Sequence, residues 1–134
     1  ACAEAKALGA KRALPLAVSA PFHSALLKPA GDRLPVALAA VPIESPRIPI
    51  VNNVDVSVES EPSRIVDALI RQSYGPVRWV EVVRKLGSMG VTHLIEFGPG
   101  KVLSGLVPRI DKGLKASAVF DPATLAATLA EVNG

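Results

Sequence analysis

The sequence predicts an α/β fold built around a mainly parallel sheet, and three observations support this. From residue 48 onward, short apolar runs alternate with segments of helical apolar spacing, the pattern of βαβ units. Turn-forming residues such as Asn52-Asn53 and Gly98-Pro99-Gly100 follow the runs. With 134 residues and 49% hydrophobic side chains, the chain can form one domain-sized core or part of one.

The first 40 residues predict a helix, a strand and a bent helix. An alanine-rich start favours a helix that Gly9 ends in the left-handed conformation. The apolar run 13–18 predicts a short strand at a sheet edge. Residues 24–40 have helical apolar spacing, which Pro29 and Pro35 should interrupt. We therefore expect either two helical pieces or one bent helix there.

The middle of the chain predicts a strand followed by two helices. The β-branched run 48–51 predicts a buried strand. Ser63 is the predicted N-cap of a helix that carries Gln72 near its end. The sequence Tyr74-Gly75-Pro76 predicts a break, with the proline opening a second helix that Gly87 ends. Trp79, on this second helix, is expected to pack in a core or an interface.

The C-terminal third gives the clearest pattern. Residues 91–97 and 114–120 predict strands, and residues 102–110 predict the helix between them. Asp121 and Pro122 have the residue types of an N-cap and a first helical position, so they predict the start of a final helix.

The turn at residues 98–101 has the strand–glycine–helix arrangement of a phosphate loop but lacks its pattern. That pattern requires Ser or Thr after the lysine, and Val102 follows Lys101 here. The first glycine of the pattern would have to be Thr92 or His93. We therefore reject a nucleotide-binding loop.

Charge and composition exclude several other classes. The net charge is +3, but the 15 basic residues are scattered and only five aromatic residues could stack on bases, which argues against nucleic-acid binding. Apolar runs stay below 18 residues, and no secretory signal is visible, so we expect a cytoplasmic protein without a membrane span. The lone Cys2 predicts neither a disulfide nor a metal site.

His23 is the leading candidate for a functional side chain. It lies in Ser19-Ala20-Pro21-Phe22-His23, at the junction of the predicted strand and the following helix, where its ring could point into a cleft. Residue types alone favour an ordinary packed or surface histidine.

Five motifs, in order along nearly the whole chain, favour a functional role for His23 over an ordinary one. The motifs are GAKRALPL at residues 9–16, PFH at 21–23, IVNNVDV at 50–56, RQSYGPVRW at 71–79 and EFGPGKVL at 96–103. Together they resemble the C-terminal part of the bacterial malonyl-CoA:acyl carrier protein transacylases.

The resemblance implies a fold and a reaction. Residues 1–19 would be the end of a ferredoxin-like small subdomain, and residues 20–134 the C-terminal part of an α/β-hydrolase-like large subdomain. Malonyl would pass from CoA to acyl carrier protein through an acyl-serine. His23 would be the general base, the Gln72 main-chain carbonyl would orient its ring, and Asp55 would be structural. No metal or resident cofactor is implied, since the partner protein carries the phosphopantetheine.

The family's serine elbow, its oxyanion-hole glutamine and its malonyl-binding arginine have no counterparts here. Ser88 lies one residue short of the elbow spacing, and Ser104 lacks the first glycine. We therefore expect a fragment that needs the missing N-terminal half of the enzyme and does not turn over alone.

The resemblance also suggests a specificity residue and a docking surface. Phe22, before the base, matches the malonyl-selective type of polyketide acyltransferases. Acyl carrier proteins are acidic, so the basic residues near family motifs are docking candidates: Lys11, Arg12, Lys101 and Arg109. Two alternatives stay open, a non-catalytic α/β interaction module and an acyltransferase domain of a polyketide or fatty-acid megasynthase. The end of the chain soon after its last helix favours a discrete enzyme over a megasynthase domain.

Overall fold

The computed structural model describes residues 1–15 and 17–134, and most of its regular elements are helices. In chain order the elements are α1 (Cys2–Ala7), a 3₁₀ turn (Ala25–Leu27), α2 (Lys28–Gly31), α3 (Leu34–Leu38), α4 (Pro62–Tyr74), α5 (Trp79–Ser88), β1 (His93–Phe97), α6 (Val102–Ile110), β2 (Lys115–Val119) and α7 (Pro122–Asn133). None of these helices is long and apolar enough to cross a bilayer.

The two strands form a parallel pair, as the strand–helix–strand pattern predicts. His93 lies opposite Lys115 and Phe97 opposite Val119, and α6 makes the crossover between the strands. The α/β class and the parallel sheet are therefore confirmed. The bounds of α6 are those the apolar spacing predicts.

The core of the molecule lies in this βαβ unit. Val83 of α5, Val107 of α6 and Leu114 form a buried cluster. Trp79 packs against it with Leu94, Ile110 and Ala116, so its predicted packing role is confirmed. Close-packed side chains from helices and strand fix this unit more firmly than helix propensity could.

The last helix starts as its residue types predict. The Asp121 carboxylate accepts the Thr124 backbone N–H at 2.7 Å, and the Thr124 hydroxyl reciprocally accepts the Asp121 N–H at 3.1 Å. Pro122 occupies the first turn of α7, where its missing N–H costs nothing. This reciprocal pair is a capping box, and it confirms the predicted start.

Helix bounds in the middle of the chain differ from three predictions. Ser63 is not the N-cap of α4, because Glu61 is the cap and Pro62 takes the first position. Gly87 does not end α5, which continues to Ser88 before Gly90 takes the left-handed conformation at φ 87°. Pro76 precedes α5 instead of opening it, since the helix begins only at Trp79.

The N-terminal part has the predicted helical pieces. Gly9 adopts φ 93° after α1, as expected. Pro29 and Pro35 stand in the first turns of α2 and α3, so each proline starts a new short helix. The prediction of separate pieces is therefore confirmed.

Two predicted strands are wrong within the described chain. Residues 13–15 and 17–18 form no strand, and Leu16 lies outside the described residues. The run 48–51 is neither buried nor paired, apart from an isolated antiparallel bridge between Val51 and Val58; Ile48 and Ile50 are 76% and 63% exposed. A β-branched run becomes a strand only when a neighbouring strand satisfies its backbone groups, and no described segment provides one.

Candidate active site

His23 meets the end of α4 from 49 residues away in sequence. Its Nδ1 lies 3.2 Å from the main-chain carbonyl oxygen of Gln72. The residue adopts φ 56°, a left-handed conformation that is uncommon for histidine and is retained where surrounding contacts enforce it. His23 itself is exposed, whereas Gln72 is half-buried.

The Gln72 carbonyl is available because of a proline four residues later. In a continuing helix this oxygen would accept the N–H of residue 76, and Pro76 has none. The preceding carbonyl, that of Arg71, is satisfied by the Gly75 N–H at 2.8 Å. Because α4 ends at Tyr74, the carbonyls that follow Arg71, that of Gln72 among them, have no helical N–H and can take partners from outside the helix.

This contact fixes which ring nitrogen carries the proton. A carbonyl oxygen can only accept, so Nδ1 must be the donor in the hydrogen bond. In the neutral ring, Nε2 then holds the lone pair. An imidazole in this state can take a proton through Nε2 without moving.

Gly31 allows the segment after His23 to approach the end of α4. A Cβ at Gly31 would lie 2.6 Å from Tyr74 Cδ1 and 2.9 Å from Ser73 Oγ. The Lys28 ammonium lies 5.9 Å from the centre of the Tyr74 ring, within cation–π range. Helix α2 is thus held against the turn that carries Gln72, and it brings His23 with it.

Asp55 is bound by an arginine next to Gln72. Arg71 Nη1 and Nη2 donate to the two carboxylate oxygens at 2.6 and 2.7 Å, and Arg71 Nε donates to Asp67 at 2.7 Å. The hydrogen bonds from Arg71 lower the pKa of Asp55, and the same bonds raise the pKa of Arg71. Asp55 therefore carries its charge as the partner of Arg71.

The other residues predicted from the family motifs are all exposed. Phe22, next to the histidine, exposes 59% of its surface. Lys11, Arg12, Lys101 and Arg109 are also exposed. Since Lys101 precedes α6 and Arg109 is in its last turn, these two are separated by about 12 Å along the helix axis. None of the four basic residues forms an ion pair with another residue in ranges 1–15 and 17–134.

His93 lies in the sheet and makes different contacts. Its Nε2 is 2.5 Å from Ser117 Oγ on the neighbouring strand, and that hydroxyl also donates to Glu131 of α7 at 2.8 Å. These contacts tie β1, β2 and α7 together. In residues 1–15 and 17–134, no group of three His, Cys, Asp or Glu side chains could hold a metal ion.

Glu96, in β1, reaches across the turn at residues 98–101 that resembles a phosphate loop. Its carboxylate accepts the Ser104 backbone N–H at 2.8 Å at the start of α6. This backbone bond is the largest of several contacts that lower the pKa of Glu96. A backbone N–H in the first turn of α6 is therefore satisfied by a side chain of the same chain.

Sequence reasoning gave no role at this site to three residues that shape it: Gly31, Arg71 and Pro76. Only Pro76 gave a usable signal, since a proline four residues after a helical position always leaves that carbonyl free. The roles of Gly31 and Arg71 depend on contacts between distant segments, which local patterns do not reveal.

Comparisons with known proteins identify relatives of the whole chain. The chain is 54% identical over 129 residues to the malonyl CoA-acyl carrier protein transacylase of Salmonella typhimurium, covering 96% of the chain and 42% of that protein. The crystal structure of the acyl-carrier-protein S-malonyltransferase from Burkholderia pseudomallei is 60% identical with a TM-score of 0.89, over 96% of this chain and 42% of its own.

A third similar structure is a malonyl-transacylase solved in complex with a type II PKS acyl-carrier protein. It is 52% identical with a TM-score of 0.88, over 94% of this chain and 41% of its own. No family model matches the chain.

The fold and these comparisons show that the chain is homologous to α/β acyltransferases. More particularly, it corresponds in sequence and fold to the C-terminal part of the malonyl-CoA:acyl carrier protein transacylases. It spans about two fifths of the length of these relatives, 42% of the Salmonella typhimurium protein.

Proposed function

We propose that this chain supplies the general base for malonyl transfer from CoA to acyl carrier protein. The single observation that carries the proposal is the contact of His23 Nδ1 with the Gln72 carbonyl, 3.2 Å away. This contact favours the tautomer whose Nε2 can accept a proton.

In the proposed reaction, a serine from the N-terminal half is the nucleophile. Nε2 of His23 takes the hydroxyl proton as the serine oxygen bonds to the malonyl thioester carbon. When the intermediate collapses, the carbon–sulfur bond breaks and the same proton passes to the CoA sulfur. The carrier's thiol then attacks the malonyl-serine, giving its proton to His23, which returns it to the serine oxygen as that ester bond breaks.

A carbonyl acceptor suits this role. A carboxylate would stabilise the imidazolium and favour its charged form, whereas a neutral carbonyl orients the ring with a smaller electrostatic bias.

The exposed apolar surface supports the need for a second half. The chain exposes 9758 Å², whereas a compact monomer of its 13.9 kDa exposes about 6,700 Å². Large apolar side chains near the site are among those exposed, such as Phe22, Leu26 and Ile50. We infer that residues 20–134 are part of an α/β-hydrolase-like subdomain, residues 1–19 are the end of a ferredoxin-like one, and the N-terminal half covers these faces.

Substrate and partner follow from the same proposal. Phe22 would crowd an α-methyl group and so favour malonyl over methylmalonyl by roughly 10- to 200-fold in kcat/KM. An unchanged ratio in a Phe22→Ser form would exclude that role. The exposed Lys11, Arg12, Lys101 and Arg109 would steer the acidic carrier, so transfer to it should slow as salt rises.

The test is complementation with the N-terminal half of a relative. The two pieces would be co-expressed, and malonyl transfer to carrier protein would be measured with wild-type chain, His23→Ala and His93→Ala. We expect His23→Ala to slow acylation by about 10²- to 10⁴-fold and His93→Ala to affect stability more than rate. Full activity of the His23→Ala complex would refute the proposal.

A further inference from the structure

We propose that the Asp55–Arg71 ion pair is a positioning device for the His23 base, holding the last turn of α4 so that the Gln72 carbonyl selects the ring's tautomer. This inference rests on the proposed function for its effect on the reaction. It concerns Asp55 and Arg71, which form no hydrogen bond with His23 and would not contact the substrate. Their action would pass through the backbone of residue 72.

The Asp55–Arg71 ion pair restrains both the distance and the relative direction of the two side chains. Arg71 donates two parallel hydrogen bonds to the two oxygens of Asp55, at 2.6 and 2.7 Å. A two-point fork restrains the direction of the guanidinium as well as its distance, which a single contact does not. Both side chains are 35% exposed, so water competes only in part. Because Arg71 directly precedes Gln72, restraining it restrains the Gln72 peptide.

Asp55 is itself held on a braced loop. We call residues 51–58 the brace loop. The Asp55 N–H donates to Asn52 Oδ1 at 2.7 Å, and the Asn52 N–H donates to the Ser57 carbonyl at 2.9 Å. A backbone bridge joins Val51 to Val58 at the base of the loop. The carboxylate therefore presents a defined direction to Arg71.

The brace loop contacts the chain on both sides of the α4 break. Before the break, Asp55 binds Arg71. After it, the Arg78 N–H donates to the Asn53 carbonyl at 3.3 Å. Between the two, a Cβ placed on Gly75 would lie 2.9 Å from Val54 Cγ2, so Val54 covers that residue closely. Gln72 thus lies between residues that contact the brace loop. These contacts restrain the direction of the Gln72 carbonyl.

Asp67 offers a matched control. It also binds Arg71, at 2.7 Å, but it lies one turn earlier on the same helix and is 62% exposed. Its pairing links α4 only to itself. If positioning depends on tying the helix to the brace loop, removing the Asp67 charge should leave the site intact, whereas removing that of Asp55 should loosen it.

The experiment is nitrogen NMR of the imidazole rings in the 134-residue chain labelled with ¹⁵N-histidine, which has only two histidines. In the wild type we expect the Nδ1-protonated tautomer to dominate at His23. In Asp55→Asn it should become a minority, because unrestrained neutral histidine favours Nε2–H. Asp67→Asn should resemble the wild type. His93, held by Ser117, is the internal reference for a retained fold.

A wild-type His23 spectrum in folded Asp55→Asn would overturn the inference, as would an equal change in Asp67→Asn. If His93 shows that Asp55→Asn has lost its fold, Arg71→Lys decides instead, since lysine keeps the charge but not the fork. An unchanged His23 tautomer in Arg71→Lys would then overturn it.

The complemented enzyme separates this inference from the proposed function. Asp55→Asn should lower kcat by roughly 10- to 100-fold with little change in KM, because only base geometry is disturbed. If His23→Ala abolishes transfer but Asp55→Asn changes neither tautomer nor kcat, only the positioning role fails. If Asp55→Asn shifts the tautomer but His23→Ala transfers at full rate, the proposed function fails and the positioning role stands.

Discussion

The βαβ unit and the region around His23 are built in opposite ways. Residues 93–119 form two paired strands joined by a helix, and their buried side chains pack on one another. Around His23, helices α2 and α3 are short, Phe22 and Leu26 are exposed, and a hydrogen bond joins the ring to the end of α4. The βαβ unit therefore keeps its geometry through buried side chains, whereas the region around His23 keeps its geometry through specific contacts. Substitutions should therefore fail differently in the two.

The largest effect should come from the core of the βαβ unit. Leu114, 8% exposed, packs in the buried cluster, so Leu114→Ala should lower the free energy of unfolding by about 2–5 kcal/mol. Leu26, which is 75% exposed near His23, is the matched control. Leu26→Ala should change the free energy of unfolding by less than about 0.5 kcal/mol. Urea titration measures both, and equal losses would contradict the comparison.

A smaller effect should follow from crowding the approach of α2 to α4. The added methyl of Gly31→Ala would lie 2.6 Å from Tyr74 Cδ1, so one of the two helices must move, at a cost of about 1–3 kcal/mol. Gly105→Ala is the control, since nothing lies within 4 Å of its added Cβ. Thermal unfolding followed by circular dichroism compares the two. The assignment of Gly31 to helix packing would fail if both melt alike.

Restoring a backbone N–H at position 76 should affect mainly the contact between His23 and the Gln72 carbonyl. In Pro76→Ala, the new N–H can compete for the Gln72 carbonyl, so the hydrogen bond to His23, worth about 0.5–1.5 kcal/mol, should be displaced in part. The readout is the tautomer of His23 by ¹⁵N NMR, with stability changing little. Pro122→Ala is the control, because position 122 is in the first turn of a helix, where a free N–H has no helical partner. A wild-type His23 signal in Pro76→Ala would refute this account of the free carbonyl.

The smallest expected effect is an acid dependence within the βαβ unit. Backbone N–H groups at the start of α6 lower the pKa of Glu96 below its ordinary 4.5, so the folded state binds this proton less readily than the unfolded state. The stabilisation is complete above the ordinary value and is lost as pH falls through the lowered one. Urea midpoints below pH 5 should therefore fall less steeply for Glu96→Gln than for wild type. Parallel pH profiles of the two proteins would exclude the contribution.

Sequence patterns predicted the start of α7 and the bounds of α6, where strong local signals decide. Asp121 and Thr124 are three residues apart, so their reciprocal cap is visible in the sequence, and α6 follows from its apolar spacing. The run 48–51 failed because a strand needs a partner that no local pattern supplies. Ser63 failed because Pro62, beside it, fits the first helical position better.

The site divides along the same line. His23 and Gln72 were singled out through the family motifs, and the structure brings them together from 49 residues apart, whereas their catalytic roles stay predictions. Phe22 and the four basic residues stay predictions, because their roles depend on surfaces and partners outside the chain. Arg71 could not be singled out in advance, since an arginine on an exposed helix is ordinarily paired with a neighbour such as Asp67.

The acceptor that His23 meets belongs to the main chain, so it is hidden from side-chain mutagenesis. Replacing Gln72 by alanine removes an amide but leaves the carbonyl 3.2 Å from Nδ1 in place, provided that α4 keeps its end. An alanine scan would therefore identify the histidine and miss its partner. The residues that reveal this partner are those that shape the backbone, Gly75 and Pro76, although neither touches the ring.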